Sequence, residues 1–289
     1  MATLVVVPSA TRTLLTGGYH NEVWKVRADT GYLIEKVYNE DRSEPNPMYP
    51  NRARAEAAAL RELSGTGLAP EFVAYHRAGP DGRPRLVYEY VDGRGWTRGT
   101  AEVAELLGRV HRHEVRGRFR RLPASPGAAL THADSMVAAT PRVGSGVLRE
   151  LRPSFGGLAS RRLAPRLALV HTDCGPGNVI RSSRGPLLID WQCPGIGDPV
   201  EDVACFLSPA MMILYEQTPH TEAARREFLA AYPDSAVVDR YLTLGAAWHY
   251  RIAAYCIFRA DRLRVTQPEV SDRYRRALEA EMQLLRSGA

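Results

Sequence analysis

Two short apolar segments near the middle of the chain each end in polar residues that could handle phosphate and a divalent cation. The first segment, which ends at residue 170, leads into His171, Asp173 and Asn178. The second segment, which ends at residue 189, leads directly into Asp190. One carboxylate could accept the proton of a hydroxyl group, and the other carboxylate and amide oxygens could hold Mg²⁺ on phosphates. These residue types, in this order, indicate phosphoryl transfer to an alcohol.

The same residues have a structural alternative, because Asp and Asn are also favoured in turns at the ends of strands. Gly175, Pro176 and Gly177 fit a tight loop that would turn Asn178 back toward Asp173. A single motif of this kind leaves both interpretations open. The choice depends on whether the rest of the chain carries the other parts that such chemistry needs, in the right order.

The elements that must position these residues fall into two parts of different character. The first part alternates apolar and polar residues as strands do, around a turn signal at Asp29–Gly31. Its strand patterns cover residues 22–27, 32–38, 72–75 and 86–91, and an alanine- and leucine-rich helix covers 52–63. After Asp92 helical patterns dominate, at 101–110 and from 203 onward, whereas prolines and glycines leave no clear helix over 121–165.

We therefore expect an α+β protein with two lobes. Residues 1–91 form a small antiparallel sheet with one main helix, and residues 92–289 form a larger, mainly helical lobe. The length of 289 residues exceeds the usual size of a single domain, which agrees with this division.

The order of the motifs resembles that of the aminoglycoside phosphotransferase and choline kinase-like family, which shares its bilobal fold with protein kinases. The matching residues are His171, Asp173 and Asn178, then Asp190 before a tryptophan, and Asp202 within a segment that begins Gly-Asp-Pro. The resemblance implies that Asp173 is the catalytic base and that Asn178 and Asp190 bind Mg²⁺. It also implies that His171 and Asp202 support the catalytic loop without taking part in the chemistry.

The first lobe carries the nucleotide-binding half of the same resemblance. Gly17, Gly18 and Asn21 resemble the family's nucleotide loop, where glycine lets the backbone approach the phosphates. Lys36 lies on the third predicted strand, where the family places the lysine that holds the α- and β-phosphates, and Glu56 would be its ion-pair partner. The alternatives are an ordinary edge-strand lysine and a surface glutamate on the helix.

Lysine is rare in this chain, which uses arginine for nearly all of its basic residues. Lys25 and Lys36 are its only lysines. A retained lysine at position 36 therefore favours a specific role. Lys25, in contrast, is expected to point outward from its strand and to matter little.

The strand that ends near residue 91 resembles the family's hinge between the two lobes. Backbone groups of Glu89, Tyr90 and Val91 would then bind the adenine ring, so the implied cofactors are ATP and Mg²⁺. Thr172 stands where the family commonly has glycine, and His20 stands where a small residue is common. Neither change removes a catalytic group, but both leave the choice between ATP and GTP open.

The acceptor, a small molecule with a hydroxyl group, is the least determined part of this interpretation. Trp248, Tyr255 and Phe258 recur at helical spacing and could hold a quaternary ammonium group, or they could simply pack in the core. The family's breadth favours an aminoglycoside or related antibiotic. A metabolic kinase for choline, thiamine, homoserine or a sugar is the alternative. A nucleotide-binding pseudokinase or interaction module would require the loss of a key residue, and none is lost.

The composition argues against other classes of partner. The net charge is +6, but the densest basic cluster, Arg116–Arg121, is too short to predict nucleic-acid binding. No apolar run approaches the roughly 18 residues of a membrane span, and residues 1–8 fit an edge strand better than a signal peptide, so we expect a cytoplasmic protein. Four cysteines without paired spacing predict free thiols, of which Cys174 could be exposed. The sequence does not indicate the oligomeric state.

Overall fold

The structure, a computed structural model, describes residues 12–15, 21–29, 31–40, 46–140, 146–161, 164 and 166–287. Its contacts divide the chain into two compact units. The first unit comprises Met1–Arg94, Arg116–Phe119 and Ile180–Pro194, and the second comprises Gly95–Val115, Arg120–Val179 and Gly195–Ala289. The sequence-based division at residue 91 assigns every later residue to the second lobe, whereas two short later segments pack with the first unit here.

A five-stranded antiparallel sheet forms the base of the first unit. Its strands are β1 (Arg12–Leu15), β2 (Glu22–Ala28), β3 (Gly31–Val37), β4 (Phe72–His76) and β5 (Arg85–Glu89). They are arranged in the order β1-β2-β3-β5-β4. β2 and β3 form the predicted hairpin, and Gly31 begins β3 with a φ of 137°, a conformation that favours glycine.

Helix α1 (Ala53–Leu63) is the predicted helix of the first unit. Its buried residues recur at the three- and four-residue spacing of one helix face, and they are Ala53, Glu56, Ala57, Ala59, Leu60 and Leu63. A glutamate within an otherwise apolar face is costly unless its carboxylate has a partner. The position of Glu56 therefore calls for a buried cation or donor.

The pairing of the strands fixes which side chains share a face of the sheet. Ile34 of β3 lies opposite Lys25 of β2 and Tyr88 of β5. Residues directly opposite each other point to the same face, and so do alternate residues along one strand. Lys25, Lys36 and Tyr88 therefore share one face of this sheet.

Two small sheets contain the remaining described strands. One consists of β6 (Gly93–Gly95), β9 (Val179–Ser182) and β10 (Gly185–Leu188), in the order β10-β9-β6. The other consists of β7 (Arg120–Arg121), β8 (Ala168–Val170) and β11 (Gly195–Gly197), in the order β7-β11-β8. β8 and β10 are the two apolar strands that the sequence predicts before its polar motifs.

The second unit is mainly helical, as predicted. Its described helices are α2 (Thr100–His111), α3 (Pro126–Ala138), α4 (Gly146–Leu151), α5 (Gly156–Ala159), α6 (Val200–Leu207), α7 (Pro209–Leu214), α8 (Glu222–Ala231), α9 (Ser235–Leu263) and α10 (Pro268–Arg286). Helix α9 is 29 residues long and packs against α3, α6 and α10, so it forms the centre of this unit. Among the helices that the structure describes, none is long and apolar enough to cross a membrane.

Helix α3 lies in the region where the sequence analysis finds no clear helix, because Pro126 and Gly127 look like breaks. The structure shows why they are not. The side-chain oxygen of Ser125 accepts a hydrogen bond from the Ala128 backbone at 3.2 Å and so caps the helix. Pro126 occupies the first turn, where a missing N–H removes no helical hydrogen bond.

Candidate active site

A buried cluster of charged side chains lies on one face of the first unit's sheet. Lys36 on β3 donates to Glu56 of α1, with Nζ 2.8 Å from Oε2, and also to Asp190, which follows β10. Lys36 is 4% exposed and Glu56 is 1% exposed. The expected contact between Lys36 and Glu56 is therefore present, and Glu56 is not a surface glutamate.

Burial and charge act in opposite directions on this cluster. Burial alone would lower the pKa of Lys36, but the carboxylates of Asp190 and Glu56 outweigh it, so the pKa is raised. Burial raises the pKa of Glu56, against the opposing effect of Lys36. Lys36 therefore carries its positive charge at physiological pH and lies between two acidic groups.

Two tyrosines that the sequence analysis does not single out complete the cluster. Tyr38 is fully buried, and its hydroxyl donates to Oε2 of Glu56. Tyr88 shares the sheet face of Lys36, and burial, followed by the charge of Glu56, raises the pKa of its hydroxyl. Tyr38 follows Lys36 by two residues, so the alternation of side chains along a strand was a usable signal for it.

Asp190 is held in a tight turn directly after β10. Its φ is 62°, in the left-handed region that Asp tolerates better than most residues. The neighbouring Trp191 is fully buried, and its Nε1 donates to the carbonyl of Leu188 at 2.9 Å. The Asp190 side chain is 33% exposed, so its carboxylate is accessible to a ligand as well as to Lys36.

Part of the predicted nucleotide loop falls in the described chain. Gly17 and Gly18 lie outside the described residues. Asn21 exchanges side-chain hydrogen bonds with Asn51, at 2.7 and 2.9 Å, and accepts one from the backbone N–H of Asn39 at 3.2 Å. These contacts tie the start of β2 to the segments on either side of residues 41–45. Contact of Asn21 with a nucleotide stays a prediction.

The predicted hinge uses some of its backbone groups within the protein. The N–H of Glu89 donates to the carbonyl of Glu71 at 2.9 Å, and the N–H of Tyr90 donates to the carbonyl of Tyr32 at 3.2 Å. Recognition of adenine at this place would therefore use other backbone groups, such as the N–H of Val91. That recognition stays a prediction.

Lys25 does not point away from the sheet face of Lys36, as the sequence suggests, but contacts two aromatic rings on that side. Its ammonium nitrogen lies 3.7 Å from the ring centre of Tyr90 and 4.1 Å from that of Tyr32. The three residues line a cavity of about 460 Å³ beside the predicted hinge, together with Glu89 and Asp92. A cation–π contact is worth about 0.5–1 kcal/mol at an exposed site, so replacement of Lys25 would have consequences.

In the second unit, Asp202 of α6 holds the segment that follows β8. Its carboxylate accepts from the backbone N–H groups of His171 (2.8 Å) and Thr172 (2.7 Å), and lies 3.0 Å from His111 Nε2. Burial would raise the pKa of Asp202, but His111 and His171 outweigh it, so the pKa is lowered. Thr172 has a φ of 72°, which a non-glycine residue adopts only when its surroundings hold it there. These contacts support the bracing role predicted for Asp202.

Asp173 and Asn178 lie together in the loop that follows. Nδ2 of Asn178 donates to the backbone carbonyl of Asp173 at 2.7 Å, and the Asp173 N–H lies 3.3 Å from Nδ1 of His171. A 3₁₀ turn over Pro176–Asn178 brings the amide back toward Asp173. Tyr215, which no motif indicates, lies within hydrogen-bond distance of both side chains.

Cys174 is buried, contrary to the exposure that the sequence suggests. Its thiol donates to the carbonyl of Asp202 at 3.1 Å, and burial raises the pKa of the thiol. All four cysteines are buried, and each is a thiol that forms no disulfide, as the sequence predicts. A buried thiol with a raised pKa is a poor nucleophile, so Cys174 serves the packing of the loop.

The three aromatic residues suggested for acceptor binding lie in the packing around α9. Trp248, Tyr255 and Phe258 are only 1%, 3% and 6% exposed. Nε1 of Trp248 donates to Glu201 at 3.0 Å, and Arg251 pairs with the same carboxylate. This burial favours the core-packing alternative, and their contact with an acceptor stays a prediction.

The sequence matches the model of the phosphotransferase enzyme family over residues 11–241, which is most of the chain. The chain belongs to this family. The predicted resemblance is thereby confirmed, and the protein is a phosphotransferase. No curated protein sequence matches the chain.

Solved structures of several kinases resemble this phosphotransferase over nearly its whole length. A choline/ethanolamine kinase family protein from Mesorhizobium loti is 18% identical, with a TM-score of 0.66 and coverage of 100% of this chain and 90% of that one. An amicoumacin kinase with AMP-PNP and Ca²⁺ is 18% identical, with a TM-score of 0.64 and coverage of 96% and 89%. A macrolide 2′-phosphotransferase from Brachybacterium faecium is 16% identical, with a TM-score of 0.62 and coverage of 95% and 93%. The predicted protein-kinase-like fold is confirmed.

The contacts of Asp202 predict a large and pH-dependent contribution to the stability of this phosphotransferase. Asp202→Ala leaves two buried N–H groups and His111 without their acceptor, so the free energy of unfolding should fall by about 3–5 kcal/mol. Because the pKa is lowered in the folded state from 3.8, the unfolded chain binds the proton first as the solution is acidified. The contribution is therefore present above about pH 4 and lost below it.

Denaturant unfolding of the wild type, Asp202→Asn and Asp134→Asn as a function of pH tests this expectation. Asp134 pairs with Arg152 at the surface of α3 and serves as the control. Asp202→Asn should weaken the decline in stability below pH 4, and Asp134→Asn should not. An unchanged acid profile in Asp202→Asn would contradict the assignment.

Proposed function

We propose that this phosphotransferase is an ATP-dependent small-molecule kinase that transfers the γ-phosphoryl group to a hydroxyl group of its acceptor. The observation that carries the proposal is the buried contact of Lys36 with Glu56 and Asp190. Buried ion pairs seldom stabilise a protein more than apolar packing would. A buried lysine that pairs with two carboxylates, of which Asp190 is accessible, therefore supports a role in binding a charged ligand.

Lys36 binds the α- and β-phosphates in this proposal. Its ammonium group is a compact charge that donates to phosphate oxygens, and Glu56 holds it in place. Tyr38 donates to the same Glu56 carboxylate and so limits the orientations that this carboxylate can adopt. The two carboxylates keep Lys36 charged before the nucleotide arrives.

Asp190 and Asn178 supply protein oxygens for Mg²⁺. Magnesium prefers oxygen donors and completes its shell with water and substrate phosphates. The chemistry of both side chains fits, because Asp190 offers an accessible carboxylate and the Asn178 amide nitrogen is directed to the Asp173 carbonyl, which leaves its oxygen at the other end. When bound, the cation would neutralise charge on the phosphates.

Asp173 accepts the proton of the acceptor hydroxyl. The hydroxyl oxygen forms a bond to the γ-phosphorus, the bond from that phosphorus to the β–γ bridging oxygen breaks, and ADP leaves. Asp202 and His171 keep the loop of Asp173 in place through their hydrogen bonds. ATP is the proposed donor, and GTP is the alternative that the same binding experiments would reveal.

For the acceptor we propose an aminoglycoside or a related antibiotic, which would make this a resistance-type O-phosphotransferase. The solved macrolide 2′-phosphotransferase and amicoumacin kinase support this branch. The choline/ethanolamine kinase family protein supports the alternative, a metabolic kinase for choline or another small alcohol. A panel that contains both classes of acceptor separates them.

The metal-binding role of Asp190 predicts that Asp190→Ala removes the effect of Mg²⁺ on ATP binding. Replacing a residue that merely orients a metal ligand typically lowers metal affinity by about 10- to 100-fold. Replacing Asp190, a proposed ligand itself, should lower the affinity for Mg²⁺ by at least that factor. Calorimetric titration of ATP, with and without Mg²⁺, measures the effect directly. The dissociation constant of the variant should be the same in both conditions.

Asp81→Ala is the matched control, because Asp81 is a carboxylate of the same unit that pairs with Arg83 near the surface. It should keep the wild-type dependence on Mg²⁺. If Mg²⁺ increased the ATP affinity of Asp190→Ala as much as that of the wild type, Asp190 would not be a metal ligand.

A further inference from the structure

Tyr215 follows α7 and lies directly on the loop that carries Asp173 and Asn178. A Cβ atom added at Gly175 or Gly177 would overlap the ring of Tyr215. Gly175 has a φ of −61°, so its backbone does not itself require glycine. The close approach of the Tyr215 ring therefore explains why positions 175 and 177 are glycine, since any side chain there would overlap the ring.

The hydroxyl group of Tyr215 joins the two functional side chains of the loop. It donates to Oδ1 of Asp173 at 3.1 Å and accepts from Nδ2 of Asn178 at 2.9 Å. The same Nδ2 donates to the backbone carbonyl of Asp173 at 2.7 Å. A carbonyl oxygen can only accept, so the nitrogen of the Asn178 amide must be at this end. Both hydrogen bonds are made by the amide nitrogen, so Oδ1 of Asn178 lies at the other end of the amide, where it would be left for the cation of the proposed function.

We propose that Tyr215 is a positioning residue that sets the orientation of Asp173 and Asn178 together. This inference rests on the proposed function, in which Asp173 accepts the hydroxyl proton and Asn178 binds Mg²⁺. The phenol fixes one carboxylate oxygen of Asp173 and one amide hydrogen of Asn178 through a single atom. A rotation of either side chain would therefore break its hydrogen bond to the Tyr215 hydroxyl, the same group that holds the other side chain. The ring contact with the two glycines keeps the phenol in place.

Tyr215→Phe is the sharpest test, because it removes the hydroxyl and keeps the ring that packs on Gly175 and Gly177. A hydrogen bond to a charged group corresponds to about a 10- to 100-fold change in rate when it acts in the transition state. With water as the acceptor and Mg²⁺–ATP as the substrate, kcat for hydrolysis should fall by about that factor. At saturating Mg²⁺, KM for ATP should stay within about twofold, because the phenol itself is not proposed to bind the nucleotide. The Mg²⁺ concentration needed for half-maximal rate should rise.

Tyr250→Phe is the matched control. Tyr250 is a buried tyrosine of the same unit, and its hydroxyl donates to the carbonyl of Leu148 at 3.1 Å, outside the loop. Both variants should melt as folded proteins, and only Tyr215→Phe should lose kcat. In an Asp173→Asn background, Tyr215→Phe should cause little further loss, because the two residues act as one unit.

The outcomes separate this inference from the proposed function. A wild-type enzyme that hydrolyses ATP, with a Tyr215→Phe variant whose kcat and Mg²⁺ requirement equal those of Tyr250→Phe, overturns the positioning role alone. Equal losses in the two variants also overturn it, because they would reflect stability. A wild type that neither hydrolyses ATP nor phosphorylates any acceptor removes the proposed function and this inference with it.

Discussion

Asp173→Asn should eliminate most phosphoryl transfer while nucleotide binding stays intact. The substitution keeps the size of the side chain but removes its capacity to accept the hydroxyl proton. General-base catalysis is typically worth about 10²- to 10⁴-fold, so kcat should fall by that factor. Steady-state kinetics gives the loss in kcat, and calorimetry with Mg²⁺–ATP should give a dissociation constant close to that of the wild type.

Asp272→Asn provides the comparison for Asp173→Asn. Asp272 is a carboxylate of the second unit on α10, where it lies near Arg275. Its substitution should leave kcat and ATP binding unchanged. If Asp173→Asn formed phosphorylated product at the wild-type rate, Asp173 would not be the base.

Lys36→Ala should produce the second large loss, in kcat/KM for ATP. The change removes a preorganised positive charge from the phosphates, and loss of one such group typically costs about 10²- to 10³-fold. It also leaves Glu56 and Asp190 without their shared partner, which should lower the free energy of unfolding by about 3–5 kcal/mol. Kinetics and denaturant unfolding on the same preparation measure both effects.

Three companion variants keep the Lys36 experiment decisive. Lys36→Arg should not restore activity, because the planar guanidinium is larger than the ammonium group and donates in different directions. Lys36→Met with Glu56→Gln should recover stability without activity, because it removes the unpaired buried charge. Arg54→Ala, on the exposed side of α1, is the neutral control. Lys25 is not used as the control, because its ammonium group contacts the rings of Tyr32 and Tyr90. A fully active Lys36→Ala enzyme would mean that the nucleotide site lies elsewhere.

The contact between Lys36 and Glu56 could be predicted because each residue follows from a local pattern. Lys36 lies in an alternating strand, Glu56 lies in a helix of fixed period, and the resemblance supplies the spatial relation between them. The face of Lys25 could not be determined in the same way. Alternation shows that side chains change sides along a strand, but only the pairing with Ile34 and Tyr88 shows which side faces the cavity.

Tyr215 shows a second limit of the sequence. It lies 42 residues from Asp173 and 37 from Asn178, in a segment with no motif of its own. Its contact with the loop depends on how α6 and α7 pack, which no local periodicity encodes. The glycines at 175 and 177 were the available signal, since two glycines in one loop can indicate a close neighbour as well as a tight turn.

The central claim, transfer of phosphate from a nucleotide to a small alcohol, is tested most directly by looking for the product. The purified protein is incubated with Mg²⁺–ATP and a panel of aminoglycosides, macrolides, choline, thiamine, homoserine and sugars, and each mixture is analysed by mass spectrometry. We predict that one class of acceptor gains a single phosphoryl group with release of ADP, and that Asp173→Asn forms almost none. Absence of a phosphorylated product with every acceptor, in a protein that also fails to bind Mg²⁺–ATP, would contradict the account.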